Sequence, residues 1–447
     1  MPRRLEPLLS APILPTLARL SVPNVLALTI QAMVAIAETT YIGILGIEPL
    51  AAMALVFPMI MLTQMMSSGA MGGGVSSAIS RALGAGEEAR ARRLVVHAVV
   101  ISAIVGLAFT AFFLALGPAI YRLLGGQGGV FEQAIIYSNV LFSGVIFIWM
   151  FNTLASVVRG TGDMRTSSAT VVGVAALQIV IGGCLSLGLG GFPRLGIAGV
   201  AIGQLAAYAA GSLFLLLLLR SGKLRLRLKF RGVSLERAMF FDILKVGAIS
   251  CLSPLQSVLT VLILSGFIAR FGTETLAGFG IGVRLEFLLI PIAFSIGVAS
   301  VPMVGMAIGA GNVERARCVA WTAGSLAAVV VGLLGAVAIV EPDLWAAMFT
   351  SNPDVKSVSH LYLQTAGWGF APMGFGLAIY FASQGSGRML GAVLAGTVRL
   401  LAVVLGGLWL VSIGAGAQSF FALVAVAMLA YGLAMATGLV LTRWQRA

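Results

Sequence analysis

Apolar runs that reach or exceed roughly 20 residues follow one another along this chain, parted by short stretches where Arg, Gly, Pro and Asp gather. A helix needs about that length to cross about 30 Å of hydrocarbon, and the runs lack the strict alternation of strands. The pattern predicts about twelve transmembrane helices, over residues 13–41, 48–79, 94–117, 131–157, 166–190, 196–219, 243–269, 276–308, 317–340, 358–383, 389–412 and 417–442. The fold class is therefore all-α integral membrane. The run from Ile13 to Ile44 is too long for a signal-peptide core and has no A-x-A site, so it is expected to remain as the first helix.

The pattern also repeats. Ala82-Leu83-Gly84-Ala85-Gly86 with Arg90 and Arg92 returns 225 residues later as Ala307-Ile308-Gly309-Ala310-Gly311 with Arg315 and Arg317. Gly160-Thr161-Gly162 maps onto Gly385-Ser386-Gly387 at the same shift, and Gly46 with Leu50-Ala51 maps onto Gly272 with Leu276-Ala277 at 226. The chain reads as an N-terminal lobe (1–220), a basic linker (221–242) and a C-terminal lobe (243–447). Six spans per half give both halves one orientation, related by a pseudo-two-fold along the membrane normal. That arrangement accompanies alternating access, with the binding site in a cleft between lobes.

Composition sharpens the class: 59% of the 447 residues are hydrophobic and 10% charged, far from a soluble domain. The net charge of +13 raises a nucleic-acid partner, but the basic residues fall in loops. With both termini cytoplasmic, inside segments hold 22 of the 28 Lys and Arg. Outside segments keep Arg122, Arg194, Arg270 and Lys356, while Arg284 and Arg399 fall within or near spans. The positive-inside rule thus orients the chain in a cell (inner) membrane. No nucleic-acid partner is expected. Cys184, Cys251 and Cys318 are isolated, and His97 and His360 stand far apart, so neither a disulfide framework nor a metal site is expected. A proton-relay role for His97 is not expected either.

Four motifs in order resemble the multidrug and toxic compound extrusion (MATE) transporters. Glu38-Thr39-Thr40-Tyr41-Ile42-Gly43 resembles the first-helix acidic motif, usually written with Asp; Ala82-Leu83-Gly84-Ala85-Gly86-Glu87 resembles the GAG motif before the third helix. Arg159-Gly160-Thr161-Gly162-Asp163 resembles the turn after the fourth helix, and Gly191-Phe192-Pro193 through Gly196-Ile197-Ala198-Gly199 resembles the turn before the sixth. The resemblance implies two six-helix lobes around a V-shaped cavity. It implies export of amphipathic, often cationic drugs or metabolites in exchange for inward H⁺ or Na⁺, with no cofactor and no enzymatic step. Small-molecule substrates, the lipid bilayer and a monomeric state complete the expectation.

Within a bilayer a carboxylate is expensive, so each acid inside a span is a functional candidate. Glu38 closes a stripe with Asn24 and Gln31, spaced seven residues apart on one face of the first helix. Burial disfavours its charged form, which suits proton uptake and release. By resemblance, the cluster around it draws on Asn152, Gln178 and Gln204. The fifth-helix position that is often Asp aligns with Gly182, leaving Glu38 as the one carboxylate of the cluster and favouring H⁺ over Na⁺ by ligand count.

The seventh helix carries Gln256 and Ser257 where some relatives have an acid, which places the chain closer to the DinF-like branch with a first-helix acid than to the branch with C-lobe acids. Arg284, Glu286 and Arg399 form a candidate intramembrane charge network. Gln31, Met33, Phe57, Met61, Gln64, Phe151 and Gln256 are candidates to line a mostly apolar substrate cavity, where thioethers and aromatic faces suit varied cations. Pro23, Pro58, Pro254, Pro291, Pro302 and Pro372 interrupt spans, as hinges or as static kinks. The rival functions are a flippase or exporter of a lipid-linked saccharide, which would want a more basic cavity, and a membrane-embedded enzyme, which would want clustered acids.

Overall fold

A computed structural model describes residues 6–228, 233–442 and 444 of the chain. Lys229 and Arg231 of the basic linker, and Arg3, Arg4, Arg443 and Arg446 at the ends, lie outside the described residues.

The described residues are helical, with no strand among them. The long elements are α1 (Ile13–Leu45), α2 (Ile47–Gly84), α3 (Glu88–Leu123), α4 (Gly128–Ser143 and Val145–Gly160, which meet at 47°), α5 (Met164–Leu187) and α6 (Ile197–Ser221). There follow α7 (Arg237–Phe271), α8 (Thr273–Gly309), α9 (Val313–Val340), α10 (Pro353–Ala366 and Phe370–Ser386), α11 (Leu390–Ser412) and α12 (Ala417–Leu441). Among the described residues ten helices are long and apolar enough to cross a membrane, and α4 makes eleven when its bent pair counts as one span. The expected span at 358–383 is interrupted: a 3-10 turn at Gly367–Gly369 leaves helices of 14 and 17 residues on either side.

The repeat is visible in the backbone. Gly86 (φ 78°) and Gly311 (φ 78°) occupy the left-handed region at equivalent places, as do Gly162 (φ 87°) and Gly387 (φ 77°). A side chain resists that conformation, so glycine is what lets one span reverse into the next within a few residues. Asp163 accepts from the Thr166 amide at 3.0 Å and Asn312 from the Arg315 amide at 2.9 Å, each capping the helix that follows the turn.

The chain divides into two compact units, residues 23–247 and residues 248 onward together with 6–22. In the first, α5 and α6 cross so closely that a Cβ on Gly203 would stand 2.4 Å from the Gly182 backbone. Phe113 of α3 stacks on Phe142 of α4 with centroids 4.1 Å apart. In the second, Gly297 of α8 lies against Phe381 and Gly324 of α9 against Phe375, both of α10. Small residues at such crossings let helices approach in lipid, where packing rather than water expulsion holds spans together.

Candidate functional site

Within the unit formed by residues 23–247, polar side chains from α1, α2, α4, α5 and α6 meet in the interior. Glu38 is 6% exposed, and its Oε1 accepts from Gln178 Nε2 at 2.7 Å. About two turns earlier on α1, Gln31 Nε2 donates to the Tyr208 hydroxyl of α6 at 3.4 Å, and Gln64 Nε2 of α2 donates to the same oxygen at 2.7 Å. Asn152 of α4 then donates to Gln64 Oε1 at 3.0 Å and to Ser67 Oγ at 2.7 Å. Asn24 accepts from Ser168 Oγ at 3.1 Å. The three stripe residues of α1 therefore each bond to α5 or α6.

The α2 part of this chain of amides has a local cause. Residues Met65–Met71 of α2 form a π-helical turn, and Ser68 Oγ bonds back to Gln64 O at 2.9 Å. A π-turn widens the helix and leaves backbone groups to be satisfied by side chains; such turns recur at functional sites. It places Gln64 and Ser67 together against Asn152.

Two tyrosines that sequence reasoning passed over complete the cluster. Tyr208 joins Gln31 to Gln64 and meets Phe151 edge-on at 5.3 Å. Tyr137 of α4 is fully buried with no hydrogen-bond partner for its hydroxyl among the described residues, and both tyrosines lie within electrostatic range of Glu38. A tyrosine among apolar residues reads as ordinary lining; the signal that could have found them is a phenol oxygen inside a membrane span, which wants a partner.

The other candidates are distributed differently. Gln204 is buried, with its carbonyl oxygen unpartnered among the described residues. Phe151 is 1% exposed and packs in the unit's interior, whereas Met33, Phe57 and Met61 are 53%, 37% and 42% exposed. Gln256 belongs to the other unit, where its Nε2 donates to Thr397 Oγ1 of α11 at 2.9 Å. His97 is fully buried; its Nδ1 lies 2.8 Å from Arg93 O and its Nε2 accepts from the Glu236 amide at 2.9 Å. Both ring nitrogens are thus held by backbone groups.

In the unit that contains α8–α12, the three candidate charges separate. Arg284 is exposed, with its guanidinium 5.3 Å from the Phe349 ring centroid. Glu286 accepts from the Tyr362 hydroxyl and feels the charge of Arg399, which is 8% exposed and has no partner for its Nε among the described residues. No ion pair joins any two of the three among the described residues. Positions two apart on a helix do not face each other, which is why Arg284 and Glu286 part.

The MatE family model matches residues 23–183 and again residues 250–409, one match in each half. Among curated proteins, an FAD transporter of Shewanella oneidensis is 24% identical over 399 residues, 89% of this chain and 88% of its own length. A probable multidrug resistance protein of Bacillus subtilis, YoeA, is 24% identical over 349 residues, 77% of this chain and 75% of its own. Among solved structures, a MOP superfamily transporter from Pyrococcus furiosus superposes with a TM-score of 0.89 at 25% identity, covering 97% of this chain and 96% of its own. With a helical bundle whose backbone repeats at the glycine turns and a family match in each repeat, the chain belongs to the MATE family of membrane transporters.

Proposed function

We propose that the protein is a secondary antiporter that exports amphipathic organic cations in exchange for inward H⁺ by alternating access, with a first-helix acid as in the DinF-like branch. Glu38 carries the reading. It is a carboxylate inside a span, bonded by the neutral amide of Gln178 and with no basic partner within ion-pair distance among the described residues. Such a group is costly when charged and dry, so it takes up a proton as water leaves and releases it when water or a cationic cargo arrives. Gln178, Asn152 and Gln204 would support it by orienting the surrounding hydroxyls and amides. A single carboxylate with amide neighbours supplies few ligands for Na⁺, which favours H⁺. The excess of Lys and Arg in alternate loops supports a cell (inner) membrane with both termini on the cytoplasmic side, and a monomer suffices for the cycle.

The test is accumulation of a fluorescent organic cation in proteoliposomes under separately imposed proton and sodium gradients, with wild type beside Glu38→Gln. Proton-driven accumulation that falls to passive leak in the variant supports the assignment. Sodium-driven accumulation would replace H⁺ by Na⁺. Movement of no cation under either gradient would remove the cargo class.

One observation favours a second cargo, an anionic flavin nucleotide like that named for the Shewanella relative. Arg159, at the end of α4, has no carboxylate within ion-pair distance among the described residues and donates to Ser156 Oγ and Ser68 O. A phosphate on the cargo would supply the missing counter-charge. Flavin fluorescence in the same vesicles decides between the two.

A further inference from the structure

Arg90, in the first turn of α3, and Arg315, in the first turn of α9, stand 225 positions apart, each just after a glycine turn of the repeat. Arg90 Nη2 lies 3.0 Å from Asp242 Oδ2 near the start of α7, and Arg81 Nη2 lies 2.6 Å from the other oxygen. Arg93 Nη1 reaches Glu236 Oε1 at 2.6 Å just before the same helix. Arg315 holds a segment ahead of α1: its Nε and Nη2 donate to Leu8 O at 3.2 and 3.1 Å, and Nη2 also to Ala11 O at 2.7 Å. Those carbonyls lie at the end of the short helix Glu6–Ser10, where unpaired carbonyls carry partial negative charge. A carboxylate in one half and helix-end carbonyls in the other are both acceptors for a guanidinium.

Arg90 itself grips Asp242, further into α7, but Glu236, which Arg93 one turn on from Arg90 grips, and Ala11, which Arg315 grips, are 225 apart. So are the places where the chain passes from one unit to the other, between Val22 and Pro23 in α1 and between Gly247 and Ala248 in α7. The first helix of each half therefore begins in the unit built mainly from the other half, and an arginine of that unit holds it there. The two anchored segments share little sequence; what recurs is the arginine after the glycine turn and its hold near the start of the opposite half's first helix.

We propose that Arg90 and Arg315 are matched positioning residues of the transport cycle. Each pins the start of the opposite half's first helix, so that α1 and α7 carry motion only beyond residues 22 and 247. This rests on the transport reading above. A residue that merely stabilised the fold would lower the yield of folded protein without separating rate from affinity.

The experiment uses the full chain in lipid nanodiscs for hydrogen–deuterium exchange and in proteoliposomes for transport of a fluorescent organic cation. It compares wild type, Arg315→Ala, Arg315→Lys and Asp242→Ala. Arg315→Ala is expected to speed exchange in residues 6–22 by about tenfold, as local opening follows the loss of charge-assisted hydrogen bonds, with 236–247 unchanged. Asp242→Ala is expected to do the reverse. Both should lower the maximal transport rate while the half-saturating cation concentration stays the same, and Arg315→Lys should recover most of both effects. Unchanged exchange in the anchored segment, faster exchange along the whole chain, or a shifted half-saturation at unchanged maximal rate overturns the proposal. A wild type that moves no cation under any gradient overturns the transport reading itself, and the exchange pattern, which needs no cargo, still decides whether these arginines are anchors.

Discussion

Asn152 ties two elements of the polar cluster together, since from its place on α4 its amide serves both Gln64 and Ser67 of α2, the second within the π-turn. Replacing it with Ala would take the donor from one buried acceptor, Ser67, and one half-buried one, Gln64, at about 1–3 kcal/mol for the buried group and less for the other. Asn152→Ala is therefore expected to lower the midpoint of thermal unfolding in detergent by several degrees, with slower transport. By contrast Arg284→Ala removes an exposed cation–ring contact worth about 0.5–1 kcal/mol, and a change of no more than a degree or two is expected in the same assay. Single residues were partly legible in the sequence. Glu38 stood out because an acid in an apolar run is conspicuous whatever surrounds it. Tyr208 did not, because its role depends on which two amides reach its oxygen across 144 and 177 residues of chain.

The crossing of α5 and α6 gives a test for elements. Gly203→Ala would set a Cβ 2.4 Å from the backbone of Gly182, and neither backbone can move aside as a side-chain end can. The helices must part, at about 1–3 kcal/mol. Gly173→Ala on the outer part of α5 meets nothing within 4 Å and is expected to be neutral or slightly stabilising. Thermal unfolding of the two variants side by side checks this, and equal midpoints would remove the close crossing. Span positions were read from apolar length, and most agree with the helices to within a few residues. The break in α10 and the π-turn in α2 were not read. Gly367-Trp368-Gly369 is apolar enough to pass as membrane helix, and the hydrogen-bond shift that makes a π-turn leaves no mark in an apolar pattern.

At the scale of the whole molecule, the charge bias of the loops predicts that a fluorescent protein fused after the last residue folds and fluoresces in the cytoplasm, while alkaline phosphatase at the same place stays inactive. The opposite pair of results would reverse the proposed direction of transport. Solvent, helical class, repeat and candidate coupling acid were determined by the sequence itself, because each follows from local length, composition or the cost of one charge in lipid. The partners of Glu38, the separation of Arg284 from Glu286, and the passage of α1 and α7 between units at equivalent points were decided only by the tertiary structure. These depend on the rotation and depth of each helix against its neighbours. Many side chains far apart in the chain set those two quantities together, and no local pattern records them.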